Sequence, residues 1–208
     1  MAGAMIPGLL LWSALLIAQL PEQLEPPQTP PGVEQRLEAV RKAPTDPQAR
    51  LELGMAYADS EEYEFAMSEL VEAIRLNPDN TENLSAKANF QLGLVLTALD
   101  RPALAVKAYR EALRLGWTEP AVYTALGQSL AAQAKYDEAI AEYHKALALS
   151  PDSFVAHVGL ALALEAAGRA EEALSQYEAA LRVAPSADEH AVAAIKQKLT
   201  TLKDRRQL

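Results

Sequence analysis

Apolar residues recur along this chain at spacings of three and four, the mark of helices with one greasy stripe. The helices themselves recur. Ala105, Ala139 and Ala173 stand 34 residues apart, as do Tyr109, Tyr143 and Tyr177, and as do Ala112, Ala146 and Ala180. Pro151 and Pro185 take the same step. A fixed period of this size predicts a stack of similar helical hairpins, each burying its apolar face on the next, and not one globular core. Such a stack has a wide surface and no inherent active-site cavity.

With units starting at residues 47, 86, 120 and 154, the pattern resolves position by position. The eighth position holds Gly54, Gly93, Gly127 and Ala161; the twentieth, Ala66, Ala105, Ala139 and Ala173; the twenty-seventh, Ala73, Ala112, Ala146 and Ala180. These small residues let two helices approach closely. The gap between the helices is filled by larger residues at the seventh position (Leu53, Leu92, Leu126, Leu160), the eleventh (Tyr57, Leu96, Leu130, Leu164) and the twenty-fourth (Leu70, Tyr109, Tyr143, Tyr177). Pro78, Pro151 and Pro185 close their units, and Trp117 takes that place in the second. Turn chemistry falls between the paired helices at Asp59-Ser60, Asp100-Arg101-Pro102 and Gly168-Arg169.

This pattern resembles the tetratricopeptide repeat, in which Trp, Leu, Gly, Tyr, Ala, Phe, Ala and Pro punctuate a helix–turn–helix of about 34 residues. The resemblance covers residues 47–187 and the helices that flank them. Two departures stand out: the fourth position carries Arg50, Asn89, Tyr123 and His157 and no tryptophan, and Trp117 replaces a closing proline. The implied fold is all-α, a right-handed superhelical solenoid of four hairpins at 47–80, 86–119, 120–153 and 154–187. A half-unit helix is expected at 33–46, with Val33, Leu37 and Val40 toward the stack, and a capping helix at 188–208. In the cap, Ser186 and Glu189 form a capping box, and Ala191, Ile195, Leu199 and Leu202 form a stripe with Lys196, Lys198 and Lys203 outside it. The step from Ala66 to Ala105 is 39, so five residues are inserted around Asn80–Ser85. They are expected to extend the first helix of the second unit backwards.

The first segment differs. Met5 to Leu20 is nearly uncharged and apolar, and residues 21–32 are a proline-rich spacer holding Pro21, Pro26, Pro27, Pro30 and Pro31. An apolar stretch on a stiff spacer reads as a signal peptide or a membrane anchor, occupying residues 1–20. Spanning a bilayer takes about 20 apolar residues, and Pro7 and Gly8 shorten this stretch, which favours a cleaved signal; the missing basic start weighs against one. The expectation is a protein exported to a periplasm or lumen, or anchored in a membrane through residues 5–20.

Composition narrows the function. The chain has 208 residues, a formal charge of −9 and 50% hydrophobic residues, too apolar for disorder and too acidic for a nucleic-acid footprint. There is no cysteine, hence no disulfide and no thiolate metal site. His144, His157 and His190 are spaced 13 and 33 apart, which matches no helical metal pair. No glycine-rich phosphate loop or activated nucleophile is present, and the acidic pairs Glu61-Glu62 and Glu171-Glu172 suit turns and helix starts. No enzyme activity and no cofactor are expected.

The family resemblance implies that the first helix of each unit lines a concave face, with its second, fifth, ninth and twelfth positions turned inward. The candidate partner-binding residues are Leu51, Met55, Lys87, Phe90, Gln91, Leu94, Thr124, Gln128, Val155, Val158 and Leu162. Chaperone-binding members of the family clamp a terminal carboxylate with cationic and amide side chains. Leu51, Met55, Ala121 and Ala125 stand at the matching places and only Gln91 is polar, so a carboxylate there would lose water and gain no cation. The expected function is therefore a non-catalytic scaffold that takes a partner's peptide or helix in its groove, in assembly of an envelope or membrane complex. A self-assembling structural protein, with homo-oligomers, and a regulatory subunit are the alternatives.

Overall fold

The computed structural model describes residues 31–184 and 189–206, and the apolar segment, most of the spacer and Ser186 of the capping box lie outside them. Among the described residues there are ten α-helices: α1 Pro31–Lys42, α2 Pro47–Asp59, α3 Tyr63–Leu76, α4 Leu84–Ala98, α5 Pro102–Arg114, α6 Pro120–Ala131, α7 Tyr136–Leu149, α8 Phe154–Ala166, α9 Ala170–Val183 and α10 Glu189–Arg206. The helices pair as α2–α3, α4–α5, α6–α7 and α8–α9, and each pair hands on to the next through α3–α4, α5–α6 and α7–α8. The first helices also touch one another in the order α2, α4, α6, α8, whereas the second helices α3, α5, α7 and α9 stay apart. That asymmetry is what curves the stack, with the first helices on the tight inner layer. The architecture is the all-α right-handed solenoid.

Sequence chemistry sets the helix ends. Proline opens α2, α5 and α6, where its missing N–H costs nothing. The Asp46 carboxylate accepts from the Gln48 N–H at 2.9 Å, and Ser153 Oγ caps α8 through the Ala156 N–H. Pro31 and Gly32 belong to α1 and not to the spacer, for the same reason that proline suits a first turn.

The close approach of paired helices is built on glycine facing a large side chain. A Cβ placed on Gly93 would lie 2.3 Å from the Tyr109 ring, and one on Gly54 would lie 2.8 Å from Leu70. Tyr143 is held from two sides, since Cβ atoms on Gly127 and Gly159 would come within 3.0 and 2.5 Å of its ring. Tyr109 and Tyr177 are fully buried. One core cluster runs from Leu96 through the tyrosines to Ile195, Leu199 and Leu202 of α10, so the last helix closes the stack. At the other end Val33 and Val40 of α1 are buried against Ala49, Leu53 and Ala56, with Leu37 packed alongside.

Between the helices of each pair, the fifteenth position lies in the left-handed region: Glu61, Asp100, Ala134 and Gly168 have φ of 62°, 54°, 57° and 78°. Only the last unit uses glycine there. The five inserted residues do not simply lengthen a helix. They make a 3₁₀ turn, Thr81–Asn83, with left-handed Asn80, Glu82 and Asn83, and α4 gains only Leu84 and Ser85. Side chains hold this turn: Asn80 Oδ1 accepts from the Ala86 N–H at 2.9 Å while its Nδ2 donates to Leu115 O at 3.0 Å, and Ser85 Oγ donates to Asn77 O.

The fourth position, without tryptophan, is a polar stitch. Arg50 donates to Pro44 O and to Glu69 on the paired helix, and His157 contacts Pro151 O and Gln176 in the same way. Tyr123 lies under Lys145, 5.9 Å from its ring centre. Asn89 alone turns away, donating back to Ser85 O.

Two substitutions test these constraints in opposite directions. Gly93→Ala should destabilise by about 2 kcal/mol, because overpacking against Tyr109 outweighs the roughly 1 kcal/mol gained in helix propensity. Ala134→Gly should stabilise by roughly 0.5–1 kcal/mol, because relief of a left-handed Cβ exceeds the added chain entropy. Urea unfolding followed by circular dichroism reads both.

Candidate partner-binding surface

The inner layer brings most of the predicted residues onto one face. Leu94, Val155 and Leu162 are open to solvent at 40%, 63% and 47%, and Gln128 is exposed beside them. Met55, Lys87, Phe90, Gln91, Thr124 and Val158 are half-buried. Phe90 leans on Tyr109 with ring centres 6.0 Å apart, and Thr124 Oγ1 donates to Pro120 O. Leu51 is a correction. It is 1% exposed and buried in one cluster with Leu70, Leu84 and Ala88. The reason is the insertion: α4 starts at Leu84, earlier in its unit than α2, α6 and α8 start in theirs, and the added Leu84 joins the cluster around Leu51.

The wall therefore has two apolar ends and a polar middle. Met55, Phe90 and Leu94 form one end; Val155, Val158 and Leu162 form the other; Thr124 and Gln128 of α6 lie between. Beneath them, Thr97 Oγ1 donates to Gly93 O and also meets the Tyr109 hydroxyl at 3.1 Å and Ser129 Oγ at 3.4 Å. This chain of hydroxyls ties α4 to α5 and α6 at the groove floor.

Residues 28–115 and 124–188 each match the tetratricopeptide repeat family. The chain belongs to that family. A search of curated proteins finds no match. Among solved structures, the TPR chain is similar to MamA from Desulfovibrio magneticus RS-1, at 19% identity and a TM-score of 0.67, over 76% of this chain and 86% of that one. It is similar to YrrB, described as a TPR protein with an unusual peptide-binding site, at 20% identity and a TM-score of 0.66, over 83% and 90% of the two chains. Pseudomonas aeruginosa PilF matches at 23% identity and a TM-score of 0.63, over 83% of this chain and 71% of that one. Proteins of the TPR family serve as interaction scaffolds, and that is the class of this chain.

The last helix of the TPR stack adds a feature that the sequence pattern did not disclose. Between α8 and α10 lies a cavity of about 270 Å³ lined by Phe154, Val158, Leu162, Tyr177, Ala194 and Ile195, among others. Lys198 crosses its mouth to Glu165 at 3.0 Å, and the Tyr177 hydroxyl donates to the same carboxylate at 2.9 Å. Lys203 pairs with Glu178 at 3.0 Å. The small side chains Ala191, within the cap's apolar stripe, and Ala194, beside it, are the signal in the sequence. The helix covers part of the fourth unit's inner face, at Phe154, Val158 and one side of Leu162, and leaves Val155 and the rest of Leu162 exposed. Among the described residues no group of acidic, histidine or cysteine side chains is placed to hold a metal, and both ring nitrogens of His157 are taken up in the stitch.

Burial pushes the Tyr109 and Tyr143 phenols up to about 12, against a small opposing pull from Thr97 on Tyr109. Tyr177 moves the same way, through burial first and the Glu165 carboxylate second. A phenol whose folded pKa exceeds its unfolded value stabilises the fold fully below pH ~10 and loses that contribution as pH rises toward 12. Alkaline unfolding should accordingly set in between about pH 10 and 12, with Tyr109 and Tyr143 each losing about 2–3 kcal/mol. Tyr109→Phe and Tyr143→Phe should flatten that dependence in stability measured against pH; an unchanged profile contradicts the assignment.

Proposed function

We propose that the concave wall binds a peptide or an amphipathic helix of a partner protein, without catalysis. The observation that carries this reading is the set of large apolar side chains left open on the inner layer: Leu94 and Val155, which neither α1 nor α10 covers, and Leu162, which stays 47% exposed at the edge of the α8–α10 cavity. Burying such side chains is favourable at roughly 25 cal/mol per Å² of apolar area. Two apolar ends around a polar middle favour a segment with apolar side chains near both ends and hydrogen-bonding groups between them, read by Thr124 and Gln128. Met55 lends the first end an adaptable fit. That YrrB is described as having a peptide-binding site is in keeping with this use of the fold.

The same reading places the chain in assembly of an envelope or membrane complex. Its support is the apolar stretch 5–20 joined to the scaffold by a proline-rich spacer, a layout that would hold the groove near a membrane or deliver it across one. Within residues 31–206 no described helix is long and apolar enough to cross a membrane, so any anchoring falls to that stretch.

Leu94→Glu and Leu162→Glu test the groove. Each places a charge on an exposed inner position and should weaken binding of a natural partner at least tenfold, about 1.4 kcal/mol, while the helical circular dichroism is unchanged. Undiminished binding by both variants in a quantitative pull-down removes the groove from the mechanism.

A further inference from the structure

The outer face of the first three second-type helices, α1, α3 and α5, differs from the rest of the convex surface. Where neighbouring units meet there, the twenty-fifth position of one faces the nineteenth of the next. At the later junctions these positions are charged or polar: Arg110 pairs with Glu138 at 2.8 Å, and His144 stands near Glu172. At the first two they are Leu37 with Phe65 and Val71 with Leu104. Phe65, Val71 and Leu104 are 59%, 50% and 46% exposed.

Between α3 and α5 this apolar junction opens into a crevice of about 500 Å³, floored by Met67, Leu92 and Leu96. Its cause is local. In the other units a long side chain at the fourth position lies over the paired helix, as Arg50 does on Glu69, His157 on Gln176 and Tyr123 under Lys145. In the second unit Asn89 folds back on its own helix and Ala108 offers nothing to meet it, so the space stays open.

The occupant is indicated by the charges on the three outer ridges. At the twenty-second position α1 carries Glu34, α3 carries Ser68 and α5 carries Lys107. No ion pair is formed by Glu34 or Lys107 among the described residues, whereas Glu38, Glu72 and Glu111, one turn further on, are matched by Arg41, Arg75 and Arg114. The sequence of ridges is thus negative, small, positive. A two-fold axis along α3 turns that order into positive, small, negative, and puts Glu34 of each copy on the same side and at the same height as Lys107 of the other. The same rotation carries Phe65 of one copy over the other's crevice, level with Leu104, since both hold the nineteenth position. A face that presents a knob, a hole and both unpaired signs in matching order is self-complementary, as an isologous interface requires.

We propose that two copies of this chain associate back to back through α1, α3 and α5, with Ser68 at the axis. Three ridges that splay apart on the convex side, each offering about three turns, give a small face, at or below the low end of specific interfaces. The dimer is therefore weak and concentration-dependent. It leaves both concave walls free, so its failure would not touch the groove reading.

Ser68→Cys in the full chain tests the axis, because the natural sequence has no cysteine. Under mild oxidation it should form a disulfide-linked dimer at least about tenfold faster than Ala141→Cys, the equivalent ridge position of the third unit, since association raises the local thiol concentration. Lys107→Glu introduced alongside Ser68→Cys should abolish the advantage, and adding Glu34→Lys should restore it. Leu94→Glu should leave it unchanged. Equal crosslinking by Ser68→Cys and Ala141→Cys overturns the proposal, as does loss with Lys107→Glu that Glu34→Lys fails to rescue.

Discussion

The contact on which the rest of the molecule depends is that of a bare backbone against a large side chain. Gly93 lies on Tyr109, Gly127 and Gly159 hold Tyr143, and Gly54 admits Leu70. These contacts let the two helices of a pair approach face to face and fix where the next pair must sit. Because first helices then touch one another while second helices do not, the stack curves, and the inner wall follows from the packing. Tyr143 is the clearest case, since a single ring spaces its own pair and the pair after it. Burial of these phenols gives the same contacts their alkaline sensitivity.

The curvature separates two surfaces with different chemistry. The concave wall has apolar ends on α2 with α4 and on α8, joined by Thr124 and Gln128 of α6. The convex face changes character along its length, from apolar junctions at the first units to charged and polar junctions at the later ones. A scaffold with two such faces can hold a segment inside and a second body behind without competition. At the far end, α10 completes the core with Ile195, Leu199 and Leu202 and is pinned by Lys198 and Lys203, so the stack ends without an exposed apolar layer.

The helical pairs were legible in the sequence because their contacts repeat. A glycine followed sixteen places on by a tyrosine occurs in two units, at Gly93–Tyr109 and Gly127–Tyr143, and Gly54–Leu70 and Ala161–Tyr177 vary it, a signal that one packing rule explains. What resisted reading was whatever breaks the period. Leu51 lies at an inward position by spacing but is buried, because Leu84, added by the insertion, joins the cluster around it. The inserted residues continue a helical pattern in the sequence, yet Asn80, Glu82 and Asn83 adopt the left-handed region and turn the chain instead. The stitches of Arg50 and His157 need a partner helix and a preceding carbonyl that no single-helix pattern reveals. The crevice beside Asn89 appears only when three helices of two units, α3, α4 and α5, are set together. Glu61, Asp100 and Ala134 hide a backbone conformation that glycine would have announced.

The central claim, that the inner wall is held open for another polypeptide, is tested most directly by site-specific photocrosslinking from that wall in the native cell. A photoreactive residue in place of Leu94 and, separately, of Leu162 should link to the same partner polypeptide, while one in place of exposed Ala148 on α7 should not. If both inner sites link only to this chain's own α10, or to nothing while Ala148 captures the partner, the wall is not the binding surface.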